Sequence, residues 1–261
     1  MCLDISRYHI IMKKRIKNIF TLVGINNALS VLRSKKLTIT KLEILKDGRA
    51  SKENELMKIL NDIQIDKIVY DKKIFHSKYA NTKSQGIAIT FTGNITEQNI
   101  PDFSNRKNFC LLVLDQVEDP QNFGQIIRTA ECAGIDGVIF PKHHSAPITQ
   151  SVLQVSQGAF VNIPIYEITN LRNEFKRFKE QGFWIIGLEN SIDAKPWYEN
   201  DYTGLTIIVL GSEGKGIREK VLESCDFKST IPMQGITNSL NVSAAVSAIA
   251  FERLRQININ P

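Results

Sequence analysis

Cysteine is scarce in this sequence: its four residues (Cys2, Cys110, Cys132, Cys225) are scattered, and none forms a CxxC pair. Zinc-ligand spacing is absent and so is a disulfide framework, which fits a reducing compartment and a cytoplasmic location. No apolar run is long enough to span a bilayer, so no spanning helix and no membrane partner are expected. No Gly-Lys-Ser/Thr ends a glycine-rich stretch, which excludes a Walker phosphate loop. The GxGxxG fingerprint after a first strand is also missing, and this weighs against a nucleotide-dependent oxidoreductase. His143 and His144 are adjacent and lack partners at ligand spacing, so no metal is expected.

What is present is ordinary globular material. The 261 residues are 43% hydrophobic and 23% charged, enough for two modest domains or one large one. The net charge of +6 favours a polyanionic partner, although composition alone is equally consistent with an unremarkable basic surface. Residues 1–20 carry Arg7, Lys13, Lys14, Arg15 and Lys17 without the apolar centre of a signal peptide. They are expected to form a basic, disordered tail, with Met12 as an alternative start.

Residues 21–93 carry the pattern of a small α/β unit. Ile25, Ala28, Leu29 and Leu32 share one face of a helix over 24–33, and "ITKLEIL" (39–45) alternates as a half-buried strand. A helix over 52–62, a short strand in "DKIVY" and a strand at 86–92 follow. The polar, aperiodic stretch from Gly93 to Asn108 is the best linker in the chain, giving linker bounds of 94–108. From 109 to 261 the pattern changes. Near-continuous apolar strands are predicted at 109–114, 137–140, 161–166, 183–188 and 205–210, separated by helices at 122–133, 148–156, 170–181 and 216–224. Strands buried on both faces and alternating with helices make a parallel sheet covered on both sides.

Three segments of this second half fall at strand ends, where open parallel sheets bind their ligands. In "DQVEDPQNFGQIIRTA" an amide, Asn122, and a guanidinium, Arg128, enter the start of a helix, a pair suited to phosphate or ribose. Taken alone, Arg128 fits a salt bridge to Glu131 or a helix-surface charge just as well. In "LGSEGKGIRE" (210–219) glycines allow backbone to approach a ligand, or they form a plain turn. "IPMQGITNSLNVSAAVSAIAFE" (231–252) opens a tightly packed helix with Ser239 and Asn241 as caps or as polar groups at the sheet edge.

Together the three segments resemble the motifs of the SpoU (TrmH) family of RNA ribose 2′-O-methyltransferases. Asn122 to Arg128 is similar to the first motif, Leu210 to Gly216 to the second, and Ile231-Pro-Met with Ser239-Leu-Asn241 to the third. Their order and spacing agree over residues 109–256. Gln125 stands where the pattern more often has alanine. "LVGINNALSVL" followed by "SQGIAI" resembles the small ribosomal-protein-like domain of members that act on large-subunit rRNA.

The resemblance implies a C-terminal SPOUT domain with a deep trefoil knot, dimeric through that domain, preceded by a small α/β domain. It implies S-adenosyl-L-methionine as cofactor, held by Gly211, Ile231 and Leu240, with Leu188 and Met233 lining the pocket. It gives Arg128 the central catalytic role, with Asn122, Glu213, Ser239 and Asn241 orienting Arg128 and the ribose. A guanidinium stays protonated, so stabilisation of a developing alkoxide is preferred over a literal base. The implied substrate is a guanosine of 23S rRNA, with a tRNA position or a catalytically idle RNA-binding scaffold as alternatives. RNA recognition falls to residues 21–93, through Arg33, Lys35, Lys36, Lys41, Lys46 and Arg49.

Overall fold

The computed structural model describes residues 18–62, 65–190 and 193–259; the expected tail up to residue 17 lies outside them. The chain divides into two compact units, Met1–Asn94 and Ile95–Pro261.

In the first unit, β1 (Ile19–Val23) leads through Gly24 into α1 (Ile25–Arg33), followed by β2 (Thr38–Leu45), α2 (Asn54–Asp62), β3 (Lys67–Tyr70), α3 (Lys72–Lys78) and β4 (Ile87–Thr92). The described strands form a sheet in the order β1-β4-β2-β3. β4 pairs antiparallel with both neighbours, whereas β2 and β3 are parallel and so need the α2 crossover between them. Ile19 and Phe20 belong to β1, so the ordered unit begins inside the span expected as tail. They are held there by antiparallel pairing with β4, a long-range partner that the local sequence does not reveal. α3 also escaped the sequence reading; it is short, and it starts where Asp71 accepts a hydrogen bond from Ile74 N–H at 2.8 Å.

The second unit contains β5 (Phe109–Leu114), α4 (Pro120–Cys132), β6 (Gly137–Pro141), α5 (Gln150–Val155), β7 (Ile165–Ile168), α6 (Leu171–Glu180), β8 (Trp184–Leu188), β9 (Lys195–Pro196), β10 (Leu205–Leu210), α7 (Glu219–Leu222), β11 (Phe227–Thr230) and α8 (Val242–Ile259). Its described strands run β7-β6-β5-β10-β8-β11-β9, every neighbouring pair parallel. All six residues of β5 are buried, as a central strand covered on both faces requires. Leu111, Val113, Ile207 and Val209 pack with Phe175 and Phe178 of α6. Phe123 of α4 meets Phe140 of β6 edge-on at 5.1 Å. Each fully buried side chain of this kind stabilises the fold by roughly 1.5–3 kcal/mol.

Three expectations need correction here. The strand expected at 161–166 runs Ile165–Ile168; residues Ala159–Val161 instead form a 3-10 turn after Gly158, whose φ of 94° redirects the chain. The helix expected over 216–224 shrinks to Glu219–Leu222. Residues 95–108, expected as a linker, pack onto the second unit: Ile100 and Phe103 are buried, and Phe103 stacks on Phe109 at 4.2 Å. Two apolar anchors without a period leave no strand or helix signal.

The first unit also holds a buried charge. Glu43 of β2 is 3% exposed and accepts hydrogen bonds from Lys78 and, at 2.6 Å, from Tyr79 Oη, with Lys41 Nζ at 3.2 Å. Burial pushes its carboxyl up, but the bonds from Lys78, Tyr79 and Lys41 outweigh this and hold it at about 2. Because the folded pKa lies below the ordinary 4.5, the stability it contributes is present above that value and is lost as pH falls toward about 2. Glu43→Gln should therefore cost about 2 kcal/mol at neutral pH and remove this acid-dependent component. Hydrogen exchange across residues 38–45, followed through that pH window in both proteins, measures it; identical pH profiles would count against the assignment.

Candidate active site

Three strand ends on the carboxyl edge of the large sheet build the site. After β5 the chain turns through Asp119, whose side chain accepts from Gln121 N–H at 2.9 Å, and Pro120 occupies the first turn of α4. This start, two residues earlier than expected, puts Asn122 in the first turn. After β10 the loop 211–217 folds back on itself, with Ser212 and Gly216 exchanging backbone hydrogen bonds at 2.9 and 3.2 Å. A Cβ on Gly211 would lie 1.9 Å from the Gly216 carbonyl carbon and 2.2 Å from Ile217 N, so only glycine fits there. After β11 the segment 231–241 leads to α8, where Asn241 Oδ1 accepts from Ser243 N–H at 2.9 Å and caps the helix.

The three segments meet in one polar triangle. Asn122 Nδ2 donates to Glu213 Oε1 at 2.9 Å, and Asn241 Nδ2 donates to Asn122 Oδ1 at 3.0 Å and also to Glu213 Oε1. Val242 N–H points at the same carboxylate oxygen at 3.4 Å. An anion that accepts from two amides and a helix-start N–H is held in place by charge-assisted bonds. The amide orientations follow from this network.

A cavity of about 390 Å³ lies on one side of the loop, and the positions expected to hold a cofactor, Gly211, Ile231, Leu240, Leu188 and Met233, all line it. Ser239 lines it too and stays outside the triangle. A second cleft of about 240 Å³ is lined by Gln116, Glu118, Asp119 and Asn122, and it shares Ser212 to Lys215 with the first. Glu213 therefore stands between two adjoining spaces. The mixture of glycine backbone, apolar side chains and a few polar groups suits a nucleoside-sized organic ligand.

Arg128 is not brought to this place. It is exposed on α4, lines neither cavity, and makes no hydrogen bond or ion pair with any described residue, Glu131 included. Six residues turn a helix through roughly 600°, which leaves Asn122 and Arg128 facing different directions. Nearness in sequence does not place the two side chains in one crevice.

Other residues at the site were missed. Asp115 is fully buried at the end of β5, where it accepts from Arg218 N–H and Nε at 2.9 Å, with Arg218 Nη2 at 2.7 Å. An acid following six buried apolar residues cannot stay unpaired, and that rule alone could have flagged it. Asn190, past β8, donates to Asn238 O at 3.1 Å and so ties the third segment to the sheet. Glu189 lines the larger cavity.

Residues 109–251 match the SpoU rRNA Methylase family. The chain belongs to that family. A Staphylococcus saprophyticus protein named for the TrmH family of tRNA/rRNA methyltransferases is 37% identical over 235 residues, 85% of this chain and 90% of that one. The 23S rRNA (guanosine-2'-O-)-methyltransferase RlmB of Shewanella oneidensis is 36% identical over 191 residues, 72% of this chain and 77% of that one. Among solved structures, the SpoU methyltransferase AviRb of Streptomyces viridochromogenes, in complex with the cofactor AdoMet, superposes with a TM-score of 0.74 over 92% of this chain and 91% of that one. At 20% identity that likeness shows a shared fold. In this SpoU-family chain the matched span contains all three sides of the polar triangle.

The loop crossing gives a sharp test. Gly211→Ala should destabilise the second unit by about 3 kcal/mol, because the added carbon meets backbone atoms that cannot turn aside. Thermal unfolding read through Trp184 and Trp197 checks this; an unchanged midpoint would mean that the crossing is looser than described.

Proposed function

We propose that the chain transfers a methyl group from S-adenosyl-L-methionine to a ribose 2′-hydroxyl of RNA, a guanosine of 23S rRNA. The observation that carries this reading is the triangle of Asn122, Glu213 and Asn241 at the boundary of two adjoining spaces, on a chain of the SpoU family. The larger cavity is the cofactor's, since a glycine crossing that no Cβ could enter places bare backbone on its wall. When bound, the cofactor supplies an electrophilic sulfonium methyl. The second cleft takes the acceptor nucleotide. Relatives named for guanosine of 23S rRNA support that substrate.

In this reading Asn122 and Asn241 hold the Glu213 carboxylate and so fix the loop that divides cofactor from acceptor. Arg128 meets the ribose from a different direction. Turned away from its own chain's cavities, it serves the cleft of a second copy in a homodimer formed through residues 95–261. As a permanent cation it lowers the energy of the developing alkoxide, which needs its charge and not a proton acceptor. The trefoil knot belongs to the same reading; the strand order, with β10 between β5 and β8, supports it.

The unit Met1–Asn94 is the RNA-recognition module, with Lys35, Lys36, Lys46 and Arg49 exposed for phosphate contact. Arg33 and Lys41 are weaker candidates, because they pair with Glu55 and Glu43.

Arg128→Ala should abolish methyl transfer to an rRNA fragment while cofactor affinity by calorimetry stays within a few-fold. Mixing it with Glu213→Ala, which keeps Arg128, should restore part of the activity; no restoration would place Arg128 at its own chain's cleft. Removal of residues 1–93 should leave cofactor binding intact, lower RNA affinity sharply and flatten its salt dependence. A truncated protein that binds and modifies the fragment as well as the full chain would show that the module does something else.

A further inference from the structure

Glu189 is the first residue past β8, at the carboxyl edge of the sheet, and its backbone N–H is fixed by a 2.8 Å hydrogen bond to Ser229 O. The side chain leans over the glycine loop. Its Oε2 lies 3.2 Å, and its Oε1 3.9 Å, from where a Cβ on residue 216 would sit. Gly216, with a φ of 66°, leaves that space open. Two acids line the larger cavity, Glu189 and Glu213. Glu213 is consumed by Asn122 and Asn241. Glu189 is half-buried and its carboxylate makes no hydrogen bond or ion pair with any described residue, Lys215 on the same wall included.

A carboxylate set into a cavity wall without protein donors is an acceptor that a ligand displacing water there can satisfy. Two oxygens on one planar group match two hydroxyls on adjacent carbons. Doubly wound sheets use this arrangement, an acid at one strand end taking ribose hydroxyls while a glycine loop at a neighbouring strand end backs the rest of the nucleotide. Here β8 and β10 are neighbours, and they supply the acid and the glycine loop respectively. Glu189 lines only the larger cavity and is absent from the cleft that holds Asn122, so it faces the cofactor and not the acceptor.

We infer that the Glu189 carboxylate binds the 2′,3′-diol of the cofactor's ribose and so selects a ribonucleoside cofactor. This rests on the assignment of the larger cavity to S-adenosyl-L-methionine. Each hydroxyl donates one hydrogen bond to one carboxylate oxygen, and no proton is transferred.

Calorimetry on the full-length protein tests the inference with S-adenosylhomocysteine, its 2′-deoxy, 3′-deoxy and 2′,3′-dideoxy analogues, and 5′-methylthioadenosine. Wild type should bind each monodeoxy analogue about tenfold more weakly than the parent, the loss expected for one hydrogen bond to a charged acceptor. In Glu189→Ala the parent should weaken by at least that factor, while the deoxy penalties shrink to within about twofold, as coupled partners require. The dideoxy analogue should bind both proteins alike, which also shows that the variant is folded. Glu189→Gln, keeping one acceptor oxygen, should fall between them. Equal deoxy penalties in wild type and Glu189→Ala would overturn the inference while leaving the cofactor assignment standing. A variant that loses affinity for S-adenosylhomocysteine but not for 5′-methylthioadenosine would overturn it too, placing the carboxylate against the amino-acid ammonium. Failure of wild type to bind any of these compounds would sink the cofactor assignment and this inference together.

Discussion

Asp115, the residue after β5, carries a carboxylate shut off from water, and the geometry of the site depends on how that charge is satisfied. Its own N–H is spent on Leu210 O at 2.7 Å, and its oxygens take Arg218 through the backbone N–H and the guanidinium. Leu210 and Arg218 are the two ends of the glycine loop. A single residue of the neighbouring strand thus pins both feet of the loop, and Glu213 at its tip has little freedom left. Such a pair is a poor source of net stability, since desolvation offsets most of the attraction. Its value lies in position. Removing Arg218 would leave the buried Asp115 charge uncompensated, and losing either partner would free the loop that separates the two cavities.

The same residue links the chemistry to the fold. β5 is buried along its whole length, so its carboxyl end is held firmly on both faces of the sheet. Asp115 follows it directly, and α4 starts five residues later, carrying Asn122 toward the loop. The polar triangle then joins residues 91 and 119 positions apart in sequence. A long-range contact of that kind costs chain entropy to form. It persists because the apolar sheet beneath has already brought the strand ends together.

Period and burial made much of this legible beforehand. β5 and β10 were bounded correctly from their apolar runs, and Leu188, Gly211 and Ile231 line one cavity because each sits at or directly after a strand end. β9 and β11 were not legible. "KP" and "FKST" are short, polar and without alternation, and they become strands only by pairing with a sheet that already exists. The stretch 95–108 failed for the opposite reason. Its polar composition hid two buried anchors, Ile100 and Phe103. Glu189 and Asn190 gave no signal because an acid and an amide after a strand are common turn residues; their meaning comes from what lies across the cavity.

Arg128 shows where sequence proximity and spatial proximity part company. Four or seven residues beyond Asn122 would have kept a side chain on the same face of α4; six does not. The helix therefore presents an amide to the loop and a cation elsewhere. The amide has a fixed structural partner in Glu213, whereas the guanidinium is held by no described residue. A long, exposed arginine whose guanidinium no described residue holds loses side-chain entropy only when something binds it, and an oxyanion is a partner its planar fork suits. Under the proposed function, rigidity at the loop and freedom at the arginine amount to one division of labour: the loop is set by its own chain, and the cation is ordered by what it binds.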